Sequence, residues 1–154
     1  MRWAGGKRNA VLELSEVGRD GNDSYGDADY VSIDGRRPAE WYSKGVRLLG
    51  RTAVECTRDG LGHAIGKDVA AVAASAPATA KTLSVDPFAG SGNTLYWLLC
   101  HLPRARGLGL ELDPRVFQLT QGNLAAPRPP IDALRPTQPT GLAPATAPPR
   151  CPPA

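Results

Sequence analysis

The chain has 154 residues, enough for one domain with a real core, and its eighteen basic and fifteen acidic side chains leave a net charge of +3, too mild to demand a nucleic-acid or membrane partner. Its three cysteines, Cys56, Cys100 and Cys151, are widely spaced without a CxxC pair, so they suggest neither a disulfide framework nor a zinc site. No apolar run nears the about eighteen residues that span a bilayer, and "MRWAGGKRN" lacks the apolar stretch of a signal peptide; a cytoplasmic protein without membrane contact is expected.

Residues 1–37 read as an N-terminal extension with two strand-like runs, "AVLEL" and "DYVSI", around the Gly- and Asp-rich "GRDGNDSYGDAD". A calcium loop starting at Asp20 needs glycine at its sixth position, where Tyr25 stands, so this stretch is expected to be a solvated loop. From Pro38 the pattern turns helical. "PAEWYSKGVRLLGRTAVECTRDG" places Trp41, Gly45, Leu48, Leu49, Thr52 and Cys56 on one face and Lys44, Arg47, Arg51 and Arg58 on the other. Four such charges are first a solvated surface and only second a phosphate contact. A second helix over "GHAIGKDVAAVAASA" aligns Leu61, Ile65, Val69 and Val72 and stops at Pro77. Then follow a strand over 82–86, a glycine loop, a helix from about Gly92 to Leu102, a strand over 106–112 and a helix from Pro114, with Asp113 placed to cap it. Strand, helix, strand, helix predicts a parallel sheet of the α/β class over 38–125. Ten prolines in residues 127–154 mark 126–154 as a disordered tail.

The glycine loop "DPFAGSG" carries the chemistry. A strand that ends on a carboxylate, turns through glycines and opens a helix leaves N–H groups at the helix start and lets a ligand lie on the backbone. Glu111, nineteen residues after Gly92, ends the next strand, where a carboxylate accepts both hydroxyls of a ribose. An adenosine-containing ligand is therefore expected. A dinucleotide fold wants a third glycine where Leu95 stands, and a P-loop wants a lysine that is absent.

"VDPFAGSGNTL" followed by "GLGLELDP" resembles the first two cofactor motifs of class I S-adenosylmethionine-dependent methyltransferases, in the form typical of the amino-methylating (N6-adenine and N4-cytosine) DNA methyltransferases. The resemblance covers about residues 82–124. It implies a Rossmann-like fold, with an incomplete parallel sheet and an N-terminal helical extension, and S-adenosyl-L-methionine as cofactor. By resemblance Asp86 lies near the methionine moiety, Pro87, Phe88, Ala89, Gly90, Ser91 and Gly92 form the cofactor loop, and Glu111 holds the ribose. "RWAGGK", Arg2 to Lys7, resembles the opening motif of GATC-directed adenine methyltransferases, although there it lies much closer to the glycine loop.

Methylation of an exocyclic amino group needs a polar-Pro-Pro-aromatic motif, whose polar group accepts from the amino group while the ring stacks on the flipped base. No Pro-Pro pair precedes Asp86, and "RPPI", "APPR" and "CPPA" lack both flanking residues. No residue is assigned as catalytic and none as a metal ligand; His63 and His101 stand isolated, and Tyr96, Trp97 and Cys100 read as packing residues. The expected function is methyl transfer to a nucleic acid, DNA first. The alternatives are a truncated, inactive cofactor-binding remnant or interaction protein and a small-molecule methyltransferase. Truncation is favoured over a half that needs a partner, because no third strand follows the helix after Asp113.

Overall fold

The computed structural model describes residues 7–75 and 82–125. Trp3, Cys151 and the tail expected over 126–154 lie outside the described residues. In chain order the elements are α1 (Leu14–Tyr25), α2 (Pro38–Ser43), α3 (Gly50–Glu55), α4 (Asp59–Ala73), β1 (Leu83–Asp86), α5 (Asn93–His101), β2 (Arg106–Gly109) and α6 (Pro114–Ala125). β1 and β2 pair in parallel from Leu83 opposite Arg106 to Asp86 opposite Gly109, so the α/β class holds, with a two-stranded sheet among the described residues.

Parallel strands need a crossover, and α5 supplies it. Its buried residues Leu95 and Leu99 lie on one face of the sheet, where β2 offers glycines: a Cβ at Gly107 would stand 2.7 Å from Leu99 Cδ1, and one at Gly109 would stand 2.9 Å from the Ala89 Cβ. On the opposite face Leu83 and Val85 remain about half exposed, at 45% and 48%. At the start of α6, Asp113 Oδ1 accepts the N–H groups of Arg115 (2.8 Å) and Val116 (3.3 Å), the cap that its place before Pro114 announces.

The N-terminal half departs from its expected elements. "AVLEL" forms only a single antiparallel bridge, Val11 with Leu49, because Glu13 begins a helix: its N–H donates to Glu16 Oε2 (3.0 Å). The acidic stretch expected as a solvated loop is α1 up to Tyr25. Packing overrides its poor propensity: Val17 is buried, Gly21 lies so close to the next loop that a Cβ would meet Asp27 O at 2.6 Å, and Gly26 closes the helix at φ 68°. "DYVSI" likewise yields one bridge, Ile33 with Arg36, around a two-residue Asp34-Gly35 turn with φ of 48° and 79°.

The single helix expected after Pro38 is two short ones, α2 and α3, broken at Gly45, whose φ of 88° no helix contains. Leu12, Val17, Val31, Ile33, Trp41, Val46, Leu48 and Ala53 form one core across the 37/38 boundary, with Trp41 Nε1 donating to Val31 O (2.9 Å). The basic face dissolves with the helix. Arg47 stacks over the Tyr42 ring at 3.6 Å, Arg51 pairs with Asp113, and Arg58 lies 4.9 Å from the centre of the Tyr30 ring.

Of the expected apolar stripe of α4, Ile65 alone packs against the α5 cluster. Leu61, Val69 and Val72 are exposed, whereas Gly62 and Gly66 are buried against α5: Cβ atoms there would meet Trp97 Cδ1 at 2.5 Å and Trp97 O at 2.6 Å. The same close approach joins the two histidines that stand isolated in the sequence, with His101 Nε2 3.2 Å from His63 Nδ1. Burial, His63 and Lys67 together hold His101 below the usual histidine range.

Candidate functional site

Backbone hydrogen bonds shape the glycine loop. Ala89 N–H donates to Leu110 O (2.8 Å) and Gly92 N–H to Ala89 O (2.6 Å), while Gly90 (φ 50°) and Gly92 (φ 80°) take left-handed conformations that side chains resist. Gly92 then serves as the residue before α5. Two side chains from outside the loop also fix it. Glu111 Oε2 accepts the Gly90 N–H (3.1 Å) and its Oε1 the Asp113 N–H (2.8 Å); Thr120 Oγ1 donates to Gly90 O (2.5 Å). Each carboxylate oxygen keeps a further lone pair for a ligand hydroxyl.

A cavity of about 320 Å³ opens beside this loop. Phe88, Ala89, Gly90, Ser91 and Glu111 of the expected set line it. Asp86, Pro87 and Gly92 do not: Asp86 Oδ1 accepts the Phe88 N–H (3.0 Å), which shapes the turn instead. Lys7, from the "RWAGGK" echo, pairs with Glu16 and is not part of the lining.

The other wall comes from α3 and its exit, through Arg51, Thr52, Glu55, Cys56 and Thr57, and sequence reasoning missed it. Nothing local marks these residues, since only the tertiary fold brings them to the loop. The contact is explicit: Cys56 Sγ lies 3.2 Å from Ser91 Oγ, and Thr94 Oγ1 donates to Thr57 Oγ1 (2.9 Å). Burial pushes the Cys56 thiol up to about 12, outweighing the hydrogen bond from Ser91, so it stays a neutral wall group at physiological pH. Arg51, the lining cation, is ion-paired with Asp113, and Glu55 with Arg8 (3.3 Å), which leaves the Glu111 carboxylate to set the sign of the cavity.

Beneath the loop, Asn93 is 2% exposed and ties three segments together. Its Oδ1 accepts the Asp34 N–H (2.8 Å); its Nδ2 donates to Thr57 O (2.7 Å), Asp59 Oδ1 (3.0 Å) and Ser32 O (3.3 Å). Asp59 also accepts Trp97 Nε1 (2.7 Å) and the Gly35 N–H (3.0 Å). Among the described residues, no group of three or more His, Cys, Asp or Glu side chains is placed to hold a metal ion, and no helix is long and apolar enough to cross a membrane. In comparisons with protein-family models, curated proteins and solved structures, nothing matches the chain.

Proposed function

We propose that the chain binds S-adenosyl-L-methionine in this cavity and belongs, as a Rossmann-like fold, to methyl transfer, with a nucleic-acid amino group as the acceptor of first choice. The observation that carries the reading is the Glu111 carboxylate, which anchors the "DPFAGSG" loop through the Gly90 N–H and lines the same cavity. When bound, the cofactor supplies an activated methyl group on a cationic sulfonium. The lining suits a cation: Glu111 faces it, while Arg51 is engaged by Asp113 and Glu55 by Arg8. The same lining suits a triphosphate poorly, for want of an unengaged cation. The volume falls at the small end of the range for ligand sites, about 300–1,000 Å³.

Glu111 would hold the ribose hydroxyls, and the glycine backbone would let the ligand approach closely. Phe88 and Leu112, 86% and 98% exposed beside these residues, offer apolar surface to the adenine end or to the acceptor. Catalysis of this kind rests on positioning: the chain's task is to hold the ligand fixed and keep the loop rigid. The missing aromatic Pro-Pro motif favours, as the second reading, a cofactor-binding protein without transfer.

Calorimetric titration with S-adenosylhomocysteine tests the reading. The expected result is saturable binding, weakened about tenfold or more in Glu111→Ala, which removes charged hydrogen bonds worth about 1.5–3 kcal/mol. Gly92→Asp, forced into a left-handed conformation, should bind poorly too. No binding by a folded parent chain would overturn the assignment.

A further inference from the structure

The chain holds two histidines, and the fold brings both to one place on the packed pair α4 and α5. His63 Nδ1 and His101 Nε2 face each other at 3.2 Å, with the rings inclined at 69° and their centres 4.6 Å apart. Two imidazole nitrogens on one tetrahedral zinc ion, each about 2.05 Å from it, stand about 3.3 Å apart. The observed separation is that of a hydrogen bond between the rings, and it lies close to the one that a shared ion imposes.

Two further features hold the pair in this state. The His63 ring rests edge-on against Trp97, with centres 5.4 Å apart. The His101 ring lies over Gly66, where a Cβ would stand 2.6 Å from its Cδ2, so a glycine is what admits the ring. Both histidines are partly exposed.

We propose that His63 and His101 form a two-histidine site for a divalent transition-metal ion, bridging α4 and α5, with water completing the coordination shell. Imidazole is the common protein ligand for zinc, nickel and copper. In the neutral pair a single proton lies between the facing nitrogens. Binding moves that proton to the outward nitrogen of the same ring, so each ring ends with its outward nitrogen protonated and its facing nitrogen on the metal, and the neutral pair releases no proton. Lys67, a cation that acts on His101, opposes a bound metal ion. The site is separate from the cavity at the glycine loop, and it stands whether or not that cavity binds a cofactor.

The test is a zinc titration of the full chain carrying ¹⁵N-labelled histidine, read by ring-nitrogen spectra in which only two residues contribute. Both rings should respond together and saturate at one ion per chain. His63 Nδ1 and His101 Nε2 should take the metal-bound shift while the outward nitrogens remain protonated. His63→Gln and His101→Gln, checked for folding by circular dichroism, should each weaken binding at least about tenfold. Zinc that binds without shifting both rings, as capture by the cysteines would, overturns the proposal, as does equal binding by parent and variants. The spectra of the parent chain decide the matter even if a variant fails to fold.

Discussion

Asp59 opens α4 and Asp113 precedes α6, and their carboxyls are pushed in opposite directions. Burial raises Asp59 above its ordinary 3.8, against the hydrogen bonds from Asn93, Trp97, Ser32 and Gly35 that pull it down. For Asp113 burial also pushes upward, but the N–H groups of Arg115 and Val116 and the Arg51 guanidinium outweigh it and hold the carboxyl below 3.8. The native state therefore binds the Asp59 proton more tightly than the unfolded chain does, and the Asp113 proton less tightly. Measured by urea unfolding across acid pH, the parent should gain stability relative to Asp59→Asn as pH falls toward 3.8 through the raised value. It should lose stability relative to Asp113→Asn as pH falls below 3.8. The cap made by Asp113 was legible in the sequence because it is local to Asp113-Pro114. Its pairing with Arg51 was not, and neither was the meeting of His63 with His101, since such partners are chosen by the fold.

At the scale of elements, glycine misled and informed in equal measure. In "DPFAGSG" the glycines announced a bend before a helix, and the structure has both. In α4 the apolar stripe of Leu61, Ile65, Val69 and Val72 looked like the packing face, yet of these Ile65 alone packs against the α5 cluster and the close contact is made through Gly62 and Gly66, because close approach of two helices rewards the smallest residue. Gly66→Ala should thus destabilise by about 1–3 kcal/mol, the cost of overpacking a filled contact. Gly122 in α6 meets nothing within 4 Å, and Gly122→Ala should stabilise by about 0.5–1 kcal/mol through helix propensity. Thermal melts of the two variants should move in opposite directions. The division of the expected long helix at Gly45 follows the same rule: a left-handed glycine ends what the periodicity would continue.

Across the whole molecule, the unit β1–α5–β2 was legible because its pattern is contained in a short span, and the α/β class follows from it. The N-terminal half was legible only in part: Trp41, Leu48, Leu49 and Thr52 of the expected apolar face are buried, but the elements that carry them differ. Its segments are short, and their states depend on partners distant in sequence, as when Leu12 N–H donates to Leu48 O (2.9 Å). The far wall of the cavity shares that dependence, since α3 reaches Ser91 only through the finished fold.

The Asn93 tie has a consequence in time. Its partners Asp34, Thr57 and Asp59 lie 59, 36 and 34 positions away along the chain. Closing such loops costs entropy that only a nearly complete structure returns, so these bonds belong to the downhill side of the folding barrier. Asn93→Ala should then speed unfolding while leaving refolding nearly unchanged, as stopped-flow rates in urea would show. A proportional fall in the refolding rate would place the tie in the transition state instead. On the expected outcome, Asn93 governs how long the native arrangement of the glycine loop lasts and not how quickly it is found.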